Sequence, residues 1–144
     1  EGDTVMGSDM HHCVLTLVER KTGYAIVKKL KARTMHEVTH AASRAIRRHC
    51  RNFKTITFDN GTEFHDYARL EQRFPVKVYF ATPYHSWERG SNENFNGLLR
   101  QYLPKGTCMS NVTQARCNQI ADDLNHRPRK RHGFKTPAAL YHRN

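Results

Sequence analysis

The stretch HCVLTLVERKTGYAIVKKL, His12 to Leu30, contains two β-strand patterns separated by a turn signal. Its first part, His12 to Glu19, is rich in β-branched and aliphatic residues on both faces, which is typical of a central strand in a sheet. Lys21 to Tyr24 contains the glycine expected in a tight turn, and Tyr24 to Leu30 has the pattern of a returning strand. We therefore predict a β-hairpin whose first strand is central.

The rest of the chain predicts three further strands and a series of helices. We expect strands at Gly2–Met6, Phe53–Phe58 and Pro75–Ala81. We expect helices from Thr34 to about Cys50, from about His65 to Arg73, along the apolar stripe Phe95–Leu103, from about Val112 to Asn125, and from Pro137 onward. This order predicts one α/β domain with a mixed sheet over residues 1–144.

The charge of the chain favours a polyanionic partner. Lysine and arginine outnumber aspartate and glutamate by 24 to 13, which gives a formal net charge of +11. The cations are concentrated in RAIRRHCR, Arg44 to Arg51, and in HRPRKRHGFK, His126 to Lys135. Clusters of this kind indicate DNA or RNA binding more than a basic protein that is merely soluble.

The four cysteines are far apart, and none belongs to a Cys-x-x-Cys pair. They predict free thiols in a reducing compartment. The ten histidines are not spaced with the cysteines as in a zinc finger, so the sequence does not favour structural zinc. No run of about 18 apolar residues or signal-peptide pattern is present, and we expect a soluble cytoplasmic protein.

The lone carboxylate after the strand Phe53–Phe58 has two interpretations. In TFDNGTEF, Thr57 to Phe64, the tripeptide Asp59-Asn60-Gly61 is typical of a turn. Asp59 also follows the carboxyl end of a strand between two helices, where open α/β sheets place their ligands. An acidic residue there repels a polyanion unless a divalent cation intervenes. Turn formation and metal binding both stay open at this point.

Two other acidic residues are candidates to share such a cation. Glu93, in RGSNENFNG, lies almost opposite the apolar stripe of its helix, about 200° from Phe95, and Arg100 projects within about 20° of the same direction. The alternative for Glu93 is a solvated residue favoured by the helix dipole. Asp3 lies in a predicted strand, where an unpaired buried carboxylate would be costly, or else at a frayed terminus.

Five blocks of the sequence together resemble a known group of enzymes. They are EGD (Glu1 to Asp3), TLVERKTGY (Thr16 to Tyr24), FDNGTEF (Phe58 to Phe64), PYHSWERGSNENFNGLLRQYLPKG (Pro83 to Gly106) and LNHRPRKRHGFKTPAALY (Leu124 to Tyr141). In this order they resemble the catalytic core of bacterial insertion-sequence transposases of the family numbered thirty, within the DDE transposase and retroviral integrase superfamily. The resemblance covers nearly the whole chain and implies a ribonuclease H-like fold, a five-stranded mixed sheet flanked by helices.

The resemblance also implies a site and a reaction. It makes Asp3, Asp59 and Glu93 the catalytic carboxylates, which would bind two Mg²⁺ or Mn²⁺ ions during DNA strand cleavage and strand transfer. Asp59 and Glu93 differ by 34 positions (93 minus 59), as expected for this group. Arg100 falls where relatives carry a basic residue thought to contact DNA. DNA is the implied partner, with a homodimer or larger assembly during transposition, in the bacterial cytoplasm at the nucleoid.

Further DNA contacts are predicted near the Glu93 helix and in the second cationic cluster. Arg89 and Asn92 lie beside the helix start, where phosphate is attracted. Arg127, Arg129, Lys130 and Arg131 form either a grip on the DNA backbone or a solvated charged loop. His85 and Trp87 either orient a phosphate or water or pack in a structural loop.

The chain begins two residues before Asp3. The transposases that it resembles carry an N-terminal helix-turn-helix region, so we expect a catalytic core without site-specific recognition of element ends. The sequence leaves two other functions open: a catalytically inactive or domesticated DNA-binding module, and a nuclease on the same fold.

Overall fold

The structure is a computed structural model that describes residues 1–49, 52–82 and 90–143. Its strands are β1 Gly2–Met6, β2 Cys13–Val18, β3 Ala25–Leu30, β4 Thr55–Phe58 and β5 Lys77–Phe80. Its main helices are α1 Met35–Arg48, α2 Tyr67–Arg73, α3 Gly90–Leu99, α4 Gln114–Asn125 and α5 Pro137–Tyr141. The predicted order of strands and helices is confirmed.

The strands form two hydrogen-bonded sheets. Strands β1, β2 and β3 are antiparallel in that spatial order, with Asp3 opposite Thr16, whereas β4 and β5 are parallel. The prediction of one five-stranded sheet is therefore wrong. Strand β1 lies beside the four-residue β4, and a Cβ atom on Gly2 would overlap the Phe58 ring. The two sheets thus lie next to each other, with the Phe58 ring packed against Gly2.

Strand β2 is central, as its sequence predicts, and every one of its residues is buried. Because side chains alternate between the faces of a strand, Leu15 and Leu17 pack in the cluster that contains α1, while Val14 and Val18 pack in the cluster that contains α3 and α4. The three-stranded sheet is therefore covered by helices on both faces.

Local sequence signals set the turn and the helix starts. The β2–β3 turn uses Gly23 at φ +77°, a conformation that favours glycine. The Thr34 and Thr136 hydroxyls accept hydrogen bonds from the backbone N–H of Glu37 and Ala139, so these two threonines are the N-caps of α1 and α5.

Helix α3 ends at Leu99, four residues before the end of the predicted apolar stripe. Leu103 is nevertheless buried in the same cluster as Leu99. The apolar spacing continues past the helix because it reflects burial, and burial does not require helical backbone.

Two amide side chains of α4 cover the outer edge of β3. The Asn125 side chain accepts a hydrogen bond from Ala25 N at 2.8 Å and donates one to Ala25 O at 2.9 Å. At the other end of the strand, the Gln114 side chain accepts from Lys29 N and donates to Val27 O. An uncovered edge strand is a template for pairing with another chain, so these amides protect the sheet.

Replacement of Asn125 by leucine should lower the free energy of unfolding by about 2–4 kcal/mol, because it leaves a buried N–H and a buried carbonyl of Ala25 unpaired. Urea denaturation followed by circular dichroism measures this loss. The matched control is Gln119→Leu, an exposed position of the same helix, which should change stability by less than about 0.5 kcal/mol. Equal stability of both variants would contradict the edge-covering role.

Three cysteines are free thiols in the structure, and Cys50 lies outside the described residues. Burial raises the pKa of Cys13 and of Cys117 to about 11, which makes these two thiols unreactive near neutral pH. Cys108 is exposed, and hydrogen bonding with Ser110 lowers its pKa. Among the described residues, no helix combines the length and the apolar character that a membrane crossing needs.

Candidate active site

Asp3 lies in β1, and helix α3 contacts its half-buried carboxylate. One carboxylate oxygen accepts a hydrogen bond from Thr4 N at 2.9 Å, and the other accepts one from Asn96 Nδ2 at 3.1 Å. Asn96 belongs to α3, which also contains Glu93. Asp3 is therefore an ordered strand residue, and the frayed-terminus interpretation is wrong.

A buried polar network connects Asn96 to the central strand. Thr16 in β2 is fully buried, and its hydroxyl lies 3.1 Å from Asn96 Oδ1 and accepts a hydrogen bond from Asn92 Nδ2 at 2.9 Å. Asn92 Oδ1 is buried and has no hydrogen-bond donor among the described residues. This network fixes the position of α3 relative to Asp3. Thr16 and Asn96 were missed from the sequence because only long-range contacts reveal their role.

Helix α3 is tied to the start of β1 at a second point. The backbone N–H of Asn92 donates to Glu1 Oε1 at 3.1 Å, and Glu1 Oε2 forms an ion pair of 2.8 Å with Arg20. The Glu1 side chain is almost completely buried. Two successive turns of α3 are thus held by the residues on either side of Gly2.

Asp59 follows β4 and forms the predicted turn. Its Oδ1 accepts a hydrogen bond from Gly61 N at 2.8 Å, and Asn60 Nδ2 donates to Ala81 O at the end of β5. Gly61 has φ −64°, so the reason for glycine here is not a positive φ. A Cβ atom at this position would overlap Glu63 Oε1, so the glycine leaves room for the Glu63 carboxylate.

Glu63, which lies in the short 3₁₀ turn Thr62–Phe64, has a supporting role next to this turn. Its buried carboxylate forms an ion pair with both Arg33 Nε and Arg33 Nη2, the latter at 3.1 Å. Hydrogen bonding to Glu63 raises the pKa of Arg33, and the charge of Asp59 acts in the same direction. The pair joins the connection between β3 and α1 to the end of β4.

Glu93 is exposed in the first turn of α3, three residues before Asn96. Residues three apart lie on neighbouring positions of a helix surface, so the Asn96 contact brings the Glu93 end of α3 toward Asp3. Asp59 directly follows Phe58, whose ring lies against Gly2, so β4 ends close to the strand that contains Asp3.

Within residues 1–49, 52–82 and 90–143, no three His, Cys, Asp or Glu side chains lie close enough together to hold a metal ion. The chemistry of the donors nevertheless suits one, because Asp3, Asp59 and Glu93 offer only carboxylate oxygens, which hard cations such as Mg²⁺ and Mn²⁺ prefer. Like charges repel, and so carboxylates keep apart unless a cation lies between them.

The predicted DNA contacts occupy different environments. The Asn92 side chain is buried inside the fold, so it has no surface to offer a phosphate. Arg100 donates to the carbonyl oxygens of Leu103 and Met6, and Arg127 donates to Gln101 and to the Tyr102 hydroxyl.

The remaining predicted contacts fall in one loop or outside the described residues. Lys130 and Arg131 are exposed, whereas the half-buried Arg129 donates to Leu124 O at 2.8 Å. Burial, reinforced by the charges of Arg127 and Arg131, lowers the pKa of Arg129. The predictions for His85, Trp87 and Arg89 concern residues outside the described ranges.

Comparison with known proteins supports the family resemblance, although no protein-family model matches the chain. The chain is 44% identical over 137 residues to the transposase for insertion sequence element IS4351 of Bacteroides fragilis, which covers 95% of this chain and 42% of that protein. It is 40% identical over 144 residues to the transposase InsI for insertion sequence element IS30A of Escherichia coli K12, covering 99% of this chain and 37% of that protein. The chain therefore spans about two fifths of the length of these relatives.

The fold is also found in a solved structure. The catalytic core domain of BIV integrase superimposes with a TM-score of 0.70 at 20% sequence identity, covering 97% of this chain and 90% of that domain. This similarity confirms the predicted ribonuclease H-like α/β fold. Over nearly its whole length, the chain is therefore similar in sequence to insertion-sequence transposases, that of IS30A among them.

Proposed function

We propose that this chain is the part of a DDE-type transposase that cleaves DNA strands and joins them to new DNA, with Asp3, Asp59 and Glu93 as its metal-binding carboxylates. The observation that carries the proposal is the contact of Asn96 with Asp3. It joins the strand that carries the first carboxylate to the helix that carries the third.

The geometry around that contact supports a site assembled from three elements. Strand β1 supplies Asp3, the turn after β4 supplies Asp59, and the first turn of α3 supplies Glu93. Helix α3 is fixed by Asn92 and Asn96, so the Glu93 backbone lies between two anchored positions. Rigid elements of this kind hold catalytic groups in place more accurately than free loops do.

The three carboxylates would hold two Mg²⁺ or Mn²⁺ ions. Such ions activate the attacking oxygen and stabilise the leaving oxygen during phosphoryl transfer. The protein itself supplies orientation and charge: Asn96 holds the Asp3 carboxylate, and the Asp59 carboxylate is held by Gly61 N.

DNA is the proposed substrate because the chain carries +11 net charge and because the exposed Arg131 lines a cavity with the first turn of α3. Transposition joins two ends to a target, so we propose that the complete protein works as a homodimer or larger assembly on DNA.

Incubation with supercoiled plasmid and Mn²⁺ tests the proposal without knowledge of the element ends. We expect nicked circles whose 3′-hydroxyl ends a DNA polymerase can extend. Strand transfer is then measured with precleaved duplexes taken from the DNA that flanks the coding sequence.

The control for both assays is the same protein with EDTA and with Ca²⁺ in place of Mn²⁺. Plasmid binding without any nicking in Mn²⁺ would show a DNA-binding module that lacks catalysis. Preferential cleavage of RNA–DNA hybrids would instead show a ribonuclease on this fold.

A further inference from the structure

Phe134 is an exposed aromatic residue in a backbone conformation that bulky residues rarely adopt. Its side chain is 69% exposed, and its φ is +66°. A bulky non-glycine residue with positive φ is an outlier, and strain of this kind persists only where surrounding contacts impose it. Neither packing nor turn geometry requires a phenylalanine at this position, since glycine or asparagine would adopt the same backbone conformation with less strain.

The loop from Arg129 to Lys135 imposes this conformation. Arg129 N donates to Lys135 O at 3.0 Å, and Phe134 N donates to Arg129 O at 2.8 Å, which closes the loop on itself. His132 Nε2 lies 2.9 Å from Thr22 O, so the loop is also docked on the β2–β3 turn. The Phe134 ring is therefore presented to solvent by an ordered loop.

Exposed cations lie on both sides of Phe134 in the sequence of the loop. Lys130, Arg131 and Lys135 are exposed, and no aspartate or glutamate occurs between Leu124 and the end of the sequence. An exposed aromatic ring among exposed cations is the combination with which proteins hold single-stranded nucleic acid: the cations contact phosphates, and the ring stacks on a base.

The same loop lies next to the helix that contains Glu93. Arg129 and Arg131 line a cavity of about 330 Å³ together with Gly90 and Ser91 of the first turn of α3. A DNA strand that reaches Glu93 would therefore pass beside the loop.

We propose that Phe134 stacks on an unpaired DNA base next to the cleavage site, while Lys130, Arg131 and Lys135 bind the flanking phosphates. This inference rests on the proposed function, because it assigns the loop to the same DNA substrate. It predicts selectivity for DNA with unpaired bases, because the ring needs a base face that is not covered by a neighbour in the duplex.

Fluorescence anisotropy with two oligonucleotides tests the stacking contact: a blunt duplex, and the same duplex with a short unpaired thymine overhang. Phe134→Ala should weaken binding of the overhang DNA about tenfold and change binding of the blunt duplex less than about twofold, whereas Phe134→Trp should keep the affinity. Because the ring is exposed, thermal unfolding of both variants should match the unsubstituted protein.

Met10→Ala is the matched control, because Met10 is also a large exposed residue, 72% exposed, with a positive φ of 63°. It should not affect either affinity. Affinity is also measured against salt concentration. Phe134→Ala should leave the slope of log affinity against log salt concentration unchanged, whereas Arg131→Ala should reduce the magnitude of this slope by about one.

Two outcomes would overturn the stacking contact while leaving the proposed function in place: no effect of Phe134→Ala on the overhang DNA, or an equal loss on both DNAs. Failure of the unsubstituted protein to bind either DNA at low salt would instead overturn the proposed function and this inference together.

Discussion

Replacement of Asp59 by asparagine should abolish plasmid nicking and strand transfer, with a loss of at least about 10³-fold, while the protein stays folded. An asparagine side chain has nearly the same shape, and its carbonyl oxygen can still accept the hydrogen bond from Gly61 N that closes the turn. It lacks the negative charge that a divalent cation requires. Activity is measured by nicking in Mn²⁺, and stability by urea denaturation.

The neighbouring carboxylate provides the control for this prediction. Glu63→Gln makes the same chemical change four residues away, but it breaks the ion pair of a buried carboxylate with Arg33. It should lower the free energy of unfolding by about 1–3 kcal/mol and leave the metal requirement of nicking unchanged. If Asp59→Asn instead destabilised the fold and kept the activity, Asp59 would be a turn residue alone.

Replacement of Asn96 by leucine should lower nicking activity about 10- to 100-fold, the range typical of residues that orient a metal ligand. Leucine has a similar volume but cannot donate to Asp3 Oδ2, so the carboxylate loses the bond that holds it against α3. Thr16 keeps its hydrogen bond from Asn92, and therefore the buried network loses only part of its bonding.

The Mn²⁺ dependence of nicking distinguishes a loss of Asp3 orientation from a general destabilisation of the fold. For Asn96→Leu, the Mn²⁺ concentration at half-maximal nicking should rise about 10-fold or more, because a free carboxylate binds the ion less well. The control Gln72→Leu, at an exposed position of α2, should match the unsubstituted protein. A lower maximal rate with an unchanged Mn²⁺ dependence would show that Asn96 only supports the fold.

Much of the fold could be predicted from local patterns. The apolar run Cys13–Val18 and the glycine of the hairpin turn each predict structure from residues close in sequence, and the structure confirms both. The division into two sheets could not be predicted, because the pairing of strand edges depends on contacts between residues far apart in sequence.

The residues of the candidate site could likewise be predicted only in part. The three acids could be chosen from the sequence, because each lies in or beside a predicted strand or helix of a strongly basic chain. The residues that orient them could not be chosen in this way: Asn96 contacts Asp3 across 93 positions, and Thr16 bonds Asn92 across 76 positions. The crowding at Gly61 is also hidden in the sequence, because it comes from the folded position of the Glu63 side chain and not from the φ of Gly61.

The most direct test of the proposed function is a crystal structure of the protein soaked in Mn²⁺, recorded at the manganese absorption edge. We predict anomalous density between Asp3, Asp59 and Glu93, with carboxylate oxygens of all three within about 2.3 Å of manganese and with no density in crystals of Asp59→Asn. Crystals in which the three carboxylates point apart, and in which Mn²⁺ binds elsewhere or not at all, would contradict it.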